Sequence, residues 1–135
     1  MPYYRLYYHI VWATKERLPL ITPINQTAIH GAIVSKAHEL KVLVHALNSM
    51  FDHVHLLATI PPAVSIATFV GQVKGSASHL AGHLATGSDG VPFAWQAEYG
   101  VVTVSERHVP FVVDYIHHQQ QHHAENRLNR TLEEC

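Results

Sequence analysis

The chain has 135 residues, of which 47% are hydrophobic and 14% charged, a balance that fits one compact domain with a real core and excludes a disordered chain. Nine Lys and Arg stand against ten Asp and Glu, a net charge of -1 with neutral histidines, so any nucleic-acid contact has to come from a local basic face. The single cysteine, Cys135, rules out an internal disulfide, and there is neither a membrane-length apolar run nor a signal-like N-terminus, which leads to the expectation of a cytoplasmic protein. Thirteen histidines are spread along the chain rather than gathered in one run.

Residues 3–14 are aromatic and β-branched and predict a strand apolar on both faces, with Tyr7, His9 and Val11 on one side and Leu6, Tyr8, Ile10 and Trp12 on the other. Lys15 to Pro19 form a charged loop. A helix follows, capped by Thr22 or Asn25, with Ile29, Ala32, Ile33, Ala37 and Leu40 at helical spacing. Residues 42–49 read as a second strand, turned by Met50-Phe51-Asp52 into a third over His53–Thr59, which Pro61-Pro62 stops. Ser65 caps a second helix over 66–85, with Ile66, Phe69, Val70, Val73 and Ala77 as its buried stripe. Thr86 to Gly90 is a loop, Phe93 to Ser105 a last strand, and a third helix starts between Glu106 and Pro110 and runs to about Arg127. The order is βαββαβ plus one helix, an α+β ferredoxin-like antiparallel sheet with an additional C-terminal helix. Residues 1–130 are expected to form one domain and 131–135 a short frayed tail.

Two features carry chemistry. In Asp52-His53-Val54-His55-Leu56-Leu57 the strand period of two puts His53 and His55 on one face and Val54 and Leu56 on the other. One face can bury while the other offers two imidazoles to a metal; taken alone, the pair also fits two polar positions on a half-exposed strand. On the third helix Tyr115 and Gln119 lie one turn apart on one face, with Val112, Val113 and Ile116 as a separate apolar stripe, so Tyr115 is expected to be presented rather than buried.

With these residues the chain resembles the single-tyrosine HUH transposases of the smallest bacterial insertion sequences, the IS200-like type. The resemblance runs through His9-Ile10-Val11-Trp12-Ala13-Thr14-Lys15 with Arg17, the Asp52–Leu57 stretch, Val73-Lys74-Gly75-Ser76, Trp95-Gln96 with Tyr99-Gly100, and Tyr115-Ile116, Gln119 and His122-His123. Phe51 stands where the family usually has a proline, and the family is usually more basic. The resemblance implies a DNA transposase that cuts and joins single-stranded DNA through a covalent 5′-phosphotyrosine. It makes Tyr115 the nucleophile, and His53, His55 and Gln119 the ligands of a divalent metal, Mg²⁺ or Mn²⁺. It further implies single-stranded DNA with the hairpin ends of its own element as substrate, and a homodimer whose tyrosine helices can complete each other's sites. Lys15, Arg17 and Lys74 flank matched motifs and are candidate phosphate contacts; Trp95 and Tyr99 offer aromatic faces to bases or to the core. On the last helix His118 and His122 are four apart and could chelate a metal, but the histidines there are read as surface or DNA-facing groups rather than a second structural site.

Other chemistries fail on spacing. Two-histidine phosphoesterases need two His-x-Ser/Thr motifs, and the isopeptidase-type zinc motif needs an acid where Ile66 stands. A rolling-circle replication initiator shares the histidine strand and the tyrosine helix but places a lysine where this chain has Gln119. A non-catalytic or domesticated single-stranded nucleic-acid-binding module on the same sheet is the alternative from another class.

Overall fold

The computed structural model describes residues 3–84, 91–119 and 130–134. The expected loop over 86–90, the run of the last helix to Arg127, the pair His122-His123 and Cys135 lie outside the described residues. The elements are β1 (Tyr8–Ala13), α1 (Gln26–Glu39), β2 (Leu43–Ser49), β3 (His53–Thr59), α2 (Ile66–His83), β4 (Gly100–Thr103), α3 (Val109–His117) and a short α4 (Arg130–Glu133). The four strands form one antiparallel sheet in the order β2-β3-β1-β4, the arrangement the sequence predicts. No helix among the described residues is long and apolar enough to cross a membrane.

Strand alternation divides the sheet into two unlike faces. Ile10, Trp12, Val54, Leu56 and Ala58 point to one side, where α1 supplies Ile29, Ile33 and Ala37 and α2 supplies Phe69, Val70, Val73, Ala77 and Ala81. Ala46 and Leu57 point to the other side, where Val112, Tyr115 and Ile116 of α3 and Leu132 of α4 close over them. β3 is therefore buried on both faces along its whole length.

Local chemistry explains the element ends. Ser65 caps α2 by accepting from Thr68 N at 3.0 Å. Asn25 stands at the N-cap of α1, but its side chain turns back: Oδ1 accepts from Thr22 N at 2.7 Å and Nδ2 donates to Leu20 O at 2.9 Å. α1 closes with Lys41 at φ 60°, Lys41 N bonding to His38 O and Val42 N to Ala37 O, a left-handed cap built without glycine.

Two strands are shorter than expected. β1 begins at Tyr8, and only Gly100–Thr103 of the predicted last strand pairs with it, along with an isolated bridge from Thr14 to Trp95. Around that bridge Lys15 N donates to Ala94 O at 3.0 Å and Gln96 N to Ala13 O at 2.9 Å, and a side-chain clasp holds residues 93–99 further. Lys74 Nζ donates to Gln96 O at 2.7 Å and Glu98 O at 3.2 Å, and Trp95 Nε1 donates to Lys74 O at 2.9 Å. The predicted tail also differs: Leu132 is buried in the α3-side core, so residues 130–133 dock as a helical turn rather than fray.

Candidate metal and tyrosine site

On β3, His53 and His55 lie on the α3 face, opposite Ala13 and Val11 of β1, and both are buried. Each imidazole is held at the nitrogen pointing away from the centre. His53 Nδ1 lies 2.6 Å from Asp52 Oδ1, and His55 Nδ1 lies 3.0 Å from His9 Nε2. Asp52 is itself placed by its carbonyl, which accepts from Thr14 N at 2.9 Å, and faces the Arg17 guanidinium at 3.9 Å. The Nε2 atoms are thereby left turned toward one point, occupied by the carboxylate of Glu133, with Oε1 3.5 Å from His53 Nε2 and 3.2 Å from His55 Nε2.

α3 brings the rest. Val112, Tyr115, Ile116 and Gln119 are spaced by three, one and three residues and share one buried face, so Tyr115 is packed into the interior at 3% exposure rather than presented. Its hydroxyl points into the site and donates to Glu133 Oε2 at 2.5 Å, while its ring meets the edge of His55 with centroids 6.3 Å apart. α3 ends at His117, and Asn48 Nδ2 donates to the carbonyl of Ile116 at 2.9 Å, pinning the helix end to β2. Gln119, just beyond, is fully buried; its Nε2 donates to Glu133 Oε2 at 3.1 Å.

Could these residues hold a metal ion? His53, His55 and Glu133 offer three ligand atoms within 4.8 Å of one another. Gln119 Oε1 is buried with no hydrogen-bond partner among the described residues. A buried amide oxygen left unpaired is costly, and a cation beside it removes that cost. Two imidazoles, a carboxylate and an amide oxygen are donors that a divalent ion takes. The set fits. Sequence reasoning named His53, His55 and Gln119 but missed Glu133, whose one local signal is the four-residue spacing of Leu128 and Leu132, which continues a helical apolar stripe into the supposed tail.

The electrostatics follow from burial. Glu133 is pulled well below the ordinary carboxylate range: desolvation acts to raise it, but hydrogen bonds from His53 and His55, the charge of His55 and the Tyr115 hydroxyl outweigh that. His9 is lowered to about 3, first by burial and then by repulsion from His55, against a smaller opposing pull from Glu133, so it is a neutral ring at ordinary pH.

The candidate basic residues divide. Lys15 and Arg17 are exposed, on a turn next to Asp52 in which Glu16 and Arg17 both take positive φ. Lys74 lies apart from them, its ammonium donating to the carbonyls of Gln96 and Glu98. Trp95 packs in T-shaped contact on Trp12 and Phe93, as a core residue. His118 is exposed, as a surface group should be.

A family model described as "Transposase IS200 like" matches residues 2–119. The transposase for insertion sequence element IS200 of Salmonella typhimurium is 34% identical over 117 residues, covering 83% of this chain and 75% of that protein. The ISDra2 transposase TnpA of Deinococcus radiodurans is 28% identical over 130 residues, covering 90% and 88%. A crystal structure of a transposase candidate from Deinococcus radiodurans R1 superposes with a TM-score of 0.68 at 27% identity, covering 93% of each chain. A REP-associated tyrosine transposase bound to a REP hairpin superposes with a TM-score of 0.69 at 17% identity, covering 91% of this chain and 74% of the other, a likeness of fold.

Proposed function

Because this chain belongs to the IS200-like transposase family, we propose that it cuts and rejoins single-stranded DNA at the hairpin ends of its own element through a phosphotyrosine on Tyr115. The observation that carries this reading is the convergence of the Tyr115 hydroxyl on the Glu133 carboxylate that His53, His55 and Gln119 also face.

Tyr115 Oη attacks the phosphorus of a backbone phosphodiester. The Tyr O–P bond forms, the bond from phosphorus to the 3′ oxygen breaks, and that oxygen leaves as a 3′-hydroxyl. Reversal with another 3′-hydroxyl joins the strand elsewhere. One ester replaces another, so no nucleotide triphosphate is consumed. Glu133, accepting the Tyr115 hydrogen bond, aims Oη toward the histidines. The same carboxylate repels an incoming phosphate, and this is the physical reason the site calls for a cation. His53, His55, Glu133 and Gln119 would hold it, Mg²⁺ and Mn²⁺ both suiting the donors. Held by these residues, a divalent ion would supply polarisation of the phosphate and stabilisation of the charge on its oxygens. The exposure of Lys15 and Arg17 beside Asp52 supports reading them as contacts to the DNA backbone.

The test is to mix the chain, Mn²⁺ and the single-stranded ends of the host element, and look for a protein–DNA adduct that survives denaturation. Wild type should form it; Tyr115→Phe and EDTA-treated protein should not. An adduct with Tyr115→Phe contradicts the assignment, and no adduct from wild type supports a non-catalytic binding module. We propose in addition that the chain works as a homodimer. Mixing His53→Ala with Tyr115→Phe protein tests whether sites are shared: recovered activity means that α3 serves the partner, and none means that each chain uses its own.

A further inference from the structure

The two histidines of β3 are oriented by different chemistry. His53 has the carboxylate of Asp52 at Nδ1, an arrangement that accepts a proton and nothing else. His55 has a second imidazole instead, His9 Nε2 at 3.0 Å. His9 sits on β1 one pair along from the Val11–His55 pair, on the same face of the sheet, so strand register alone brings the two rings together. Their planes lie within 18° of parallel with centroids 5.2 Å apart. With the nitrogens at 3.0 Å this is an edge-to-edge contact along a hydrogen-bond line rather than face stacking. His9 is 1% exposed and His55 0%, so water cannot substitute for either partner.

We infer that His9 is a positioning residue that accepts the Nδ1 proton of His55 when His55 turns an Nε2 lone pair toward a divalent cation, and holds the ring in place when it does not. This rests on the reading of His53 and His55 as ligands. A neutral imidazole has one proton. When Nε2 serves as a ligand, the proton is on Nδ1 and must be donated to an acceptor, and His9 Nε2 is the group within reach. His9 then keeps its own proton on Nδ1. When Nε2 instead faces the Glu133 carboxylate, as in this structure, the opposite assignment satisfies the same contacts: His55 Nε2–H donates to Glu133 and His9 Nε2–H donates to His55 Nδ1. Each ring holds one proton in both arrangements, so the pair exchanges roles without a net gain or loss. A carboxylate in place of His9 accepts in the first arrangement but has nothing to donate in the second, and it adds a second buried negative charge beside Glu133. An imidazole serves both.

The experiment is calorimetric titration of Mn²⁺ into the full chain as wild type, His55→Ala, His9→Leu and His9→Gln, with melting in EDTA as the folding control. Loss of an outer partner of a ligating histidine weakens metal binding by about 10–100-fold. His9→Leu should show that loss, and His9→Gln, whose amide oxygen reaches as far as Nε2, should recover most of it. Wild-type affinity in His9→Leu, or a Gln variant as weak as the Leu variant at equal melting temperature, overturns the inference. Unchanged Mn²⁺ affinity in His55→Ala removes the ligand reading itself, a separate result. Ring-nitrogen NMR of the wild-type chain decides the matter even if a variant fails to fold. With saturating Mg²⁺ the His9 proton should be on Nδ1, and in EDTA on Nε2. A His9 proton that stays on Nε2 while His55 carries its own on Nδ1 overturns the assignment.

Discussion

The two faces of the sheet use the same strands for opposite ends. Toward α1 and α2 the side chains are apolar throughout, from Ile10 and Trp12 to Phe69 and Val73. Toward α3 and α4 the same strands turn His9, His53 and His55 inward, against Tyr115, Gln119 and Glu133. The His-Val-His-Leu alternation of β3 separates the two tasks by one residue: odd positions carry chemistry and even positions carry packing. Because a one-residue slip in register would exchange them, the apolar face also fixes where the histidines point. The lesson is that the polar face can afford buried, partly unsatisfied groups because the other face supplies the stability.

That contrast is open to direct attack. Phe69→Ala, on the apolar face, should cost about 3–5 kcal/mol in denaturant unfolding yet leave adduct formation intact at temperatures where the variant is folded. A large loss of chemistry without loss of fold would break the division. On the polar face, Mn²⁺ at a hundredfold excess over its Kd should stabilise the wild type by about 2.7 kcal/mol. His53→Ala combined with His55→Ala should lose that gain, and thermal melts with and without metal read it.

Acid should act through the polar face. His9 has its folded pKa at about 3 against 6.5 when exposed. The unfolded chain therefore binds the extra proton first, and stability falls as pH drops from about 6.5 toward 3, by at most about 1.4 kcal/mol per pH unit for this group. Glu133 adds to the same trend lower down: its depressed pKa stabilises the fold above about 4.5 and ceases to as pH falls below that. Urea midpoints in EDTA at pH 7.5 and 5.5 should therefore drop further for wild type than for His9→Gln. Equal drops would show that burial does not hold His9 neutral in the folded chain. The smallest effect is expected at the clasp, where Lys74→Met should cost about 1 kcal/mol and loosen residues 93–99 in hydrogen exchange.

Much of this division is written locally. The stripe of α2, its Ser65 cap and the β3 alternation follow from helical and strand periods, and the sheet order from the element order. What local pattern cannot convey is a partner distant in sequence. Tyr115 reads as an edge residue until α3 is seen to bury Val112, Tyr115, Ile116 and Gln119 as one face. Lys74 and Trp95-Gln96 read as separate motifs until the clasp joins them. Glu133 lies beyond the family-matched segment 2–119, in a tail whose composition predicts fraying, and burial of its neighbour Leu132 brings it to the histidines.

The central claim is that the polar face is a tyrosine and metal site, and the measurement closest to it is the identity of the residue that becomes joined to DNA. Proteolysis of the adduct formed with Mn²⁺, followed by mass spectrometry, should find the nucleotide on the peptide containing Tyr115, linked through a 5′ phosphate. A nucleotide on any other residue, or a 3′-linked one, would contradict the account.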